Sequence, residues 1–532
     1  MNRQRTTRTV TAPQAPQVEQ DIRVQMLNSF MSCPHRDTDA IKRIHEDLQK
    51  RDPVFYSHLA AWYDKNGELR DHKEVFAAML IVDPYLENRE VGLALWQRAV
   101  PFMKSRILGF IKGKKVKIRE KTDKKRKVGK KMIPVVNVTE KIVGVFKNVP
   151  SAFKTEASRY LKWLESDSER FDAVAMRNAE DLKTLYASLK IPHTKRVQQI
   201  LWEKKYPKES RLNVFKQVTD AKTPEEAATL IVKNKVPYTT AVGLIEKMTP
   251  SILVALINNM SSQEVINNIA SLQENGAFDN PGTKAIIDKK LKQAETSKNV
   301  TALKSKAAIN TGRIKDEAVV AQLDKIADVQ IKRKGVIKLP TAIFVDRSGS
   351  MHIAIESGKH CAALVSGATE APLYVVAFDT LPMEIYPIAA RPKDRTTTLT
   401  DWEKAFRPVN AGGSTSMGCA LEYLRQKKMY VEQIVIITDE GENAGPMFTE
   451  VYPRYVSEMK VQPHVIIIKT PESGGTFSSN LKKAGISFDV YTPNGADYYG
   501  LPGLIPLLAR ASKLDLLMEI MDSPLPTRKE YK

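Results

Sequence analysis

Apolar positions recur three or four apart from about residue 20 to residue 110, as in HLAAWYDK at 58–65, EVFAAMLIVD at 74–83 and VGLALWQRAV at 91–100. That spacing predicts amphipathic helices. It returns from 150 to about 330 in short segments: 152–165, 179–190, 194–205, 223–233, 238–246, 250–259, 262–274, 283–295 and 315–329. Thr223-Pro224 and Thr249-Pro250 each set a capping residue before a proline suited to the first helical position. The helices after 236 read as pairs, and stacked pairs that each bury one face make an α-solenoid. No strict repeat period accompanies them.

At 337 the pattern changes. Short apolar runs (IFV, YVVAF, IVIIT, VIII) alternate with helical segments, and a last helix is predicted over about 501–520. Strands alternating with helices indicate a Rossmann-like α/β unit, and near-continuous apolar strands suit a parallel sheet covered on both faces. The expected layout is a polar, disordered tail over 1–18, a helical domain over 19–336 and an α/β domain over 337–532. Residues 111–140 interrupt the helical part with twelve Lys/Arg between Lys112 and Lys131. VKIRE and MIPVV there read as short strands flanking a basic tip, and a flexible loop fits as well. A grip on phosphates, a solvated insertion and a nuclear-import signal all remain open for that stretch.

The charge adds a direction to this layout. The chain of 532 residues carries a net +21; residues 1–338 hold 62 Lys+Arg against 39 Asp+Glu, and the remainder 20 against 22. The helical part is therefore electropositive and the α/β part nearly neutral, which points to a polyanion, RNA or DNA ahead of a membrane surface. No apolar run approaches the roughly 20 residues that span a bilayer. Cys33, Cys361 and Cys419 match no zinc spacing and read as reduced thiols, so a cytoplasmic location is expected.

The α/β part also carries a candidate site. DRSGS at 346–350 closes the first strand, NAGGSTSMG at 410–418 supplies Thr415, and IITDEGEN at 436–443 ends a strand with Asp439. Asp346, Ser348, Ser350, Thr415 and Asp439 offer carboxylates and hydroxyls, hard oxygen donors suited to a small dication such as Mg²⁺. The alternative is that the two aspartates only cap helices. Three such loops in this order resemble the metal-ion-dependent adhesion site of the von Willebrand factor type A fold. That resemblance implies a divalent metal with one position open to a partner's carboxylate or a small anion. The chain shows no Ser/His/Asp triad, phosphate loop or metalloprotease helix, and an enzyme is not expected. A metal-dependent hydrolase would draw on Asp346, Asp439 and Glu442.

A basic α-solenoid ahead of an A domain resembles the Ro autoantigen family, whose helical part is called the TROVE domain. The likeness is carried by TDEGENAGPM at 438–447, by VPYTTAVGLIEKMTPSILVALINNMSSQEVINNIASL at 236–272 and by DLKTLYASLKIPH at 181–193. It implies HEAT-like repeats closed into a ring and bridged by the A domain. It also implies small noncoding Y-like RNA on the outer surface and single-stranded 3′ ends of misfolded RNA in the hole. An exoribonuclease is an implied partner, a bacterial source and a monomer are expected, and membrane is not. The candidate RNA contacts are Lys124, Lys125, Arg126, Lys127, Arg177, Lys183, Lys190, His193, Lys195 and Arg196. The place of the family's RNA-contacting histidine is Ala187 or Ser188 here, so His193 is open between a contact, a helix-start residue and no role. Trp163, Tyr186 and Trp202 are open between base stacking and core packing. The competing reading is a scaffold whose metal site recruits an acidic protein partner.

Overall fold

The computed structural model describes residues 22–23, 25–27, 29–30, 38–67, 69–128, 131–145, 147–333, 335–352, 355–387, 399–470, 475–491, 505–509 and 513–531, with backbone alone for 38, 114–128, 131–141, 143, 303, 310, 357, 506, 507, 513 and 514. The 1–18 tail and Cys33 lie outside them.

Helices α1 (Thr38–Arg51), α2 (Pro53–Asn66), α3 (Arg70–Ile81), α4 (Leu86–Arg98) and α5 (Pro101–Lys112) come first. A two-stranded ribbon, β1 (Lys114–Val128) and β2 (Lys131–Val143), follows. The helices resume with α6 (Ser151–Glu165), α7 (Ser168–Leu189), α8 (Lys195–Gln198), α9 (Val214–Asp220), α10 (Pro224–Asn234) and α11 (Tyr238–Ala241). They end with α12 (Pro250–Asn259), α13 (Ser262–Glu274), α14 (Pro281–Thr296), α15 (Ala302–Asn310) and α16 (Glu317–Lys332). Neighbours pack in sequence order, α3 on α4 and α5, α10 on α12, α14 on α16. Of the two proline starts read from sequence, Thr223 caps as expected, its hydroxyl taking the Glu226 N–H at 3.2 Å. Thr249 sits at the cap position of α12 without a side-chain cap bond. Ser261 and Glu264 close a reciprocal capping box on α13.

The α/β part contains β3 (Thr341–Asp346), α17 (Ile355–Ala368), β4 (Leu373–Phe378), β5 (Pro382–Glu384), α18 (Leu399–Phe406) and α19 (Met417–Gln426). It continues with β6 (Gln433–Thr438), α20 (Phe448–Met459), β7 (His464–Lys469), α21 (Phe477–Lys483), β8 (Phe488–Tyr491), α22 (Ile505–Leu508) and α23 (Lys513–Met521). The sheet order is β5-β4-β3-β6-β7-β8, with only the edge strand β5 antiparallel. Alternate residues of these buried strands serve two cores. Ile343, Val345, Val435 and Ile437 join the core that runs through the helical part, while Phe344, Val376, Ile434 and Ile436 pack with residues of α19, α20 and α21.

Both ends of the helical array touch the α/β part. At one end α16 packs on α17 and α18. At the other, α23 packs on α2, where Trp62 Nε1 donates to Glu519 Oε1 at 2.9 Å. The chain end then lies along α4 and α6: the Arg528 guanidinium binds Glu90 at 2.8 and 2.9 Å and Glu156 at 2.9 Å. The path of contacts thus closes on itself.

Near the first helices, His45 Nδ1 lies 2.8 Å from the Tyr56 hydroxyl and Nε2 lies 2.9 Å from His72 Nδ1, all three residues buried. Burial, then the neighbouring His72, holds the His45 imidazole well below its usual range. The folded protein therefore keeps it neutral, while the unfolded chain protonates it below about pH 6.5. Its contribution to stability is complete above pH 6.5 and is lost as pH falls below it, by up to about 1.4 kcal/mol per pH unit. The melting temperature is expected to drop from pH 7 to pH 5, and to drop less steeply in His45→Phe. Parallel curves for the two proteins would dismiss the imidazole as the cause.

Candidate functional site

The sheet order reverses between β3 and β6. Renumbered within the sheet it is the doubly wound 3-2-1-4-5-6 arrangement, in which a crevice opens outside the carboxyl ends of the strands at that reversal. Asp346 ends β3 and Asp439 follows the last residue of β6, so both carboxylates stand at the switch point. Asp346 is fully buried. Its Oδ1 accepts the Ser348 N–H at 2.8 Å and its Oδ2 accepts the Thr438 hydroxyl at 2.7 Å. Burial pushes its carboxyl up to about 6, against the hydrogen bonds, and the Asp439 charge adds to the rise. The Ser348 and Ser350 hydroxyls lie 3.1 Å apart.

The Thr415 loop is stitched to both others by backbone hydrogen bonds. Gly349 N donates to Gly413 O at 2.9 Å, and Gly412 N to Arg347 O at 2.7 Å. Gly413 has φ +81°, a conformation that glycine adopts without strain. On the other side Asn443 N and Ala444 N donate to Thr415 O at 3.0 and 2.9 Å, while Thr415 N donates to Asn443 Oδ1 at 2.9 Å. Thr415 and Ser348 are buried, Asp439 is half-buried and Ser350 is exposed, so the five residues run from a buried carboxylate to an accessible hydroxyl. Two carboxylates and three hydroxyls form an all-oxygen donor set. A buried carboxylate beside a second one is the electrostatic setting that a hard dication relieves. Among the described residues no three His, Cys, Asp or Glu side chains group as a metal cluster.

Three neighbours of this site escaped the sequence reading. Thr438 fixes the Asp346 carboxylate, Asn443 fixes the Thr415 loop, and Arg347 pairs with Asp379 at 2.7 Å between the first two loops. The first two occur inside IITDEGEN, but only pairing of β6 with β3 shows what they hold. Glu442, weighed as a catalytic partner, instead accepts the Phe448 N–H at 2.8 Å at the start of α20. Burial pushes the Cys361 and Cys419 thiols up to about 12, which makes both poor nucleophiles.

The basic residues are scattered differently from a single stripe. Arg177 and Lys183 lie on α7, Lys190 is its left-handed cap residue, and Lys195 and Arg196 begin α8. Arg177 pairs with Glu264 at 2.6 Å and Lys183 with Glu180 at 2.8 Å. Arg196 grips Asp172 with one nitrogen at 2.7 and 2.8 Å. Lys190, His193 and Lys195 are exposed. The His193 ring stacks on Trp202 at 4.7 Å, and its Nε2 lies 2.9 Å from Gln198 Oε1. Tyr186 is core, as the helical spacing favours, whereas Trp163 is half-buried under the Arg170 guanidinium at 4.0 Å. Lys124, Lys125, Arg126 and Lys127 fall on β1, with their side chains outside the described set.

No protein-family model matches the chain, and no curated protein matches its sequence. Among solved structures it is similar to the crystal structure of Deinococcus radiodurans RO (RSR) protein, at 14% identity and a TM-score of 0.49, covering 94% of this chain and 95% of that one. Proximal thread matrix protein 1 of the mussel byssus is similar at 16% identity and a TM-score of 0.26, over 33% of this chain and 48% of that one. Both scores lie below 0.5, so the functional reading stands on this chain's own residues. Among the described residues no helix is long and apolar enough to cross a membrane.

Proposed function

We propose that this protein binds RNA in the manner of the Ro type, taking small noncoding, Y-like RNA and single-stranded 3′ ends of misfolded RNA for quality control. The observation that carries the reading is the placement of charge. Residues 114–143 hold twelve Lys/Arg against three Asp/Glu, on a ribbon rooted in a helical array that is itself basic. Such a surface captures phosphate without reading sequence, which suits a binder of many defective RNAs. In the same reading Asp346, Ser348, Ser350, Thr415 and Asp439 hold a divalent metal, Mg²⁺ by donor type. A bound dication there supplies positive charge to an incoming carboxylate or small anion. Asp346 and Asp439 furnish charge, the hydroxyls furnish neutral oxygen, and Thr438 and Asn443 keep two of the loops in place. The neighbouring Asp379 carboxylate is engaged by Arg347 and Glu442 accepts the Phe448 N–H, so the reading is a binding site rather than a hydrolase.

The second reading, a scaffold that recruits an acidic protein through the metal, is favoured by the stitching of the three loops. A salt titration of affinity separates them, using one structured RNA with and without a single-stranded 3′ extension. Tighter binding with the extension and a steep loss with salt are expected. Weak binding at low salt, indifferent to the extension, would turn the search to an acidic protein ligand.

A further inference from the structure

The ribbon settles the stretch that the sequence left open between strands and loop. β1 and β2 run antiparallel from Lys114↔Val143 to Val128↔Lys131, with one irregularity between Lys121 and Lys125. Strands of this length reach roughly 45 Å. The root is clamped on α5: Val145 N donates to Phe110 O at 2.9 Å and Lys147 N to Ile111 O at 3.1 Å. A Cβ on Gly144 would stand 2.4 Å from Phe110 O, so only glycine admits this approach. Beyond the root, neither strand packs extensively on another element among the described residues. An isolated two-stranded hairpin is marginal in water, and one with this charge also repels itself.

The register sorts that charge. Residues of a strand alternate between faces, and cross-strand partners share a face. Lys121 pairs with Val136 and Lys125 with Pro134, so the irregularity preserves the alternation. Lys115, Lys117, Arg119 and Lys121 therefore fall on one face in a continuous run of cations, and Lys125 and Lys127 share that face beyond the irregularity, which holds Asp123. Their partners on β2 are Ile142, Glu140, Val138, Val136, Pro134 and Met132, mostly apolar. Ile142, paired with Lys115, is 54% exposed, so this face is open to solvent at its root. On the opposite face Val116, Ile118 and Glu120 separate Lys114 from Arg126, so no continuous row forms. The contiguous block 124–127 is thereby divided: Lys125 and Lys127 share the cationic face and Arg126 lies on the other.

We infer that one face of this ribbon is a binding surface for single-stranded RNA, with the β1 row following the phosphates and the apolar β2 row beside the bases. Alternate positions on a strand recur about every 6.7 Å, a step comparable with that between phosphates on an extended backbone. The run of four from Lys115 to Lys121 offers about one cation per nucleotide. The inference rests on the RNA-binding reading and names the surface that does it.

The test compares two variants of the full chain with equal charge loss, measured against a 3′-extended RNA across a salt series. One carries Lys115→Gln, Lys117→Gln, Arg119→Gln and Lys121→Gln; the other carries Lys114→Gln, Arg126→Gln, Lys131→Gln and Lys141→Gln. The first is expected to lose at least about tenfold in affinity and to flatten the salt slope by about 3, near 0.7 per phosphate contact. The second is expected to lose less than about threefold. A third variant, with Lys115→Arg, Lys117→Arg and Lys121→Arg, keeps wild-type affinity and unfolding midpoint, which separates lost charge from lost fold. Equal losses in the two glutamine variants, no loss in either, or stronger binding of duplex DNA than of the RNA would overturn the assignment. Failure of the unmodified protein to bind RNA would instead overturn the underlying function.

Discussion

Asp346→Ala is expected to abolish the stabilisation that Mg²⁺ or Mn²⁺ gives the protein while leaving RNA affinity within twofold of the parent. A ligand at 100 times its dissociation constant stabilises a fold by about 2.7 kcal/mol, and this increment is the quantity lost. Asp346 ends β3, is fully buried and lies at the sheet's reversal point, whereas the basic ribbon departs from α5 in the helical part. Among the described residues Asp346 bonds to Ser348 and Thr438, both within the α/β part. Asp346→Asn is the companion variant, because its amide oxygen can still accept the Ser348 N–H and hold the loop. Both variants should lose the metal-dependent shift in melting temperature. Survival of that shift in both would remove Asp346 from the donor set. Loss of RNA affinity in a folded Asp346→Asn protein would show that the two sites are one.

The two halves were legible from sequence to different depths. The strand segments IFV, YVVAF, IVIIT and VIII lie within β3, β4, β6 and β7, because a strand buried on both faces leaves an unmistakable apolar run. The helical segments also correspond, with local exceptions. The predicted 179–190 is the second half of α7, which starts at Ser168 and is kinked at Asn178; 238–246 shortens to α11, the span 501–520 holds α22 and α23 in place of one helix, and α9 and α15 were not anticipated. ALKSKAAIN, the α15 segment, has little hydrophobic periodicity, and what settles it is Lys306 reaching into the α/β part. The five metal-site candidates converge through one topological fact, the adjacency of β3 and β6, with hydrogen bonds tying in the Thr415 loop. The RNA candidates fared differently because helical spacing says nothing about ion pairing. Arg177, Lys183 and Arg196 each spend their charge on a carboxylate of this chain, in one case across 87 residues. VKIRE and MIPVV were open between strands and a loop and pair as β1 and β2, but the register was beyond reach: a block of lysines has no hydrophobic alternation, so which cations share a face emerges only from the pairing.

Lys306→Met is expected to destabilise the whole protein by about 3–5 kcal/mol, the usual consequence of stripping one partner from a buried charge network. Lys306 lies on α15 with its side chain only 4% exposed. Its ammonium binds Asp324 Oδ1 of α16 at 2.9 Å and Glu403 Oε2 of α18 at 3.0 Å, and it also donates to the Thr400 hydroxyl. Thr400 in turn donates to Asp324 at 2.7 Å, and Leu399 N donates to Asp328 at 2.8 Å. The methionine fills the space but removes the ammonium that lies between Asp324 and Glu403. Burial already pushes the nearby Asp328 carboxyl up to about 6, with Lys306 opposing the rise. Without that cation the Asp328 carboxyl rises further above its unfolded value. Such a group disfavours folding most when ionised, so the loss should be greatest above pH 7 and shrink towards pH 5. Urea unfolding midpoints of the two proteins at pH 5 and pH 7.5 measure both effects. A difference under about 1 kcal/mol at pH 7.5 would place the network with ordinary surface pairs and remove it as the junction between the helical array and the sheet.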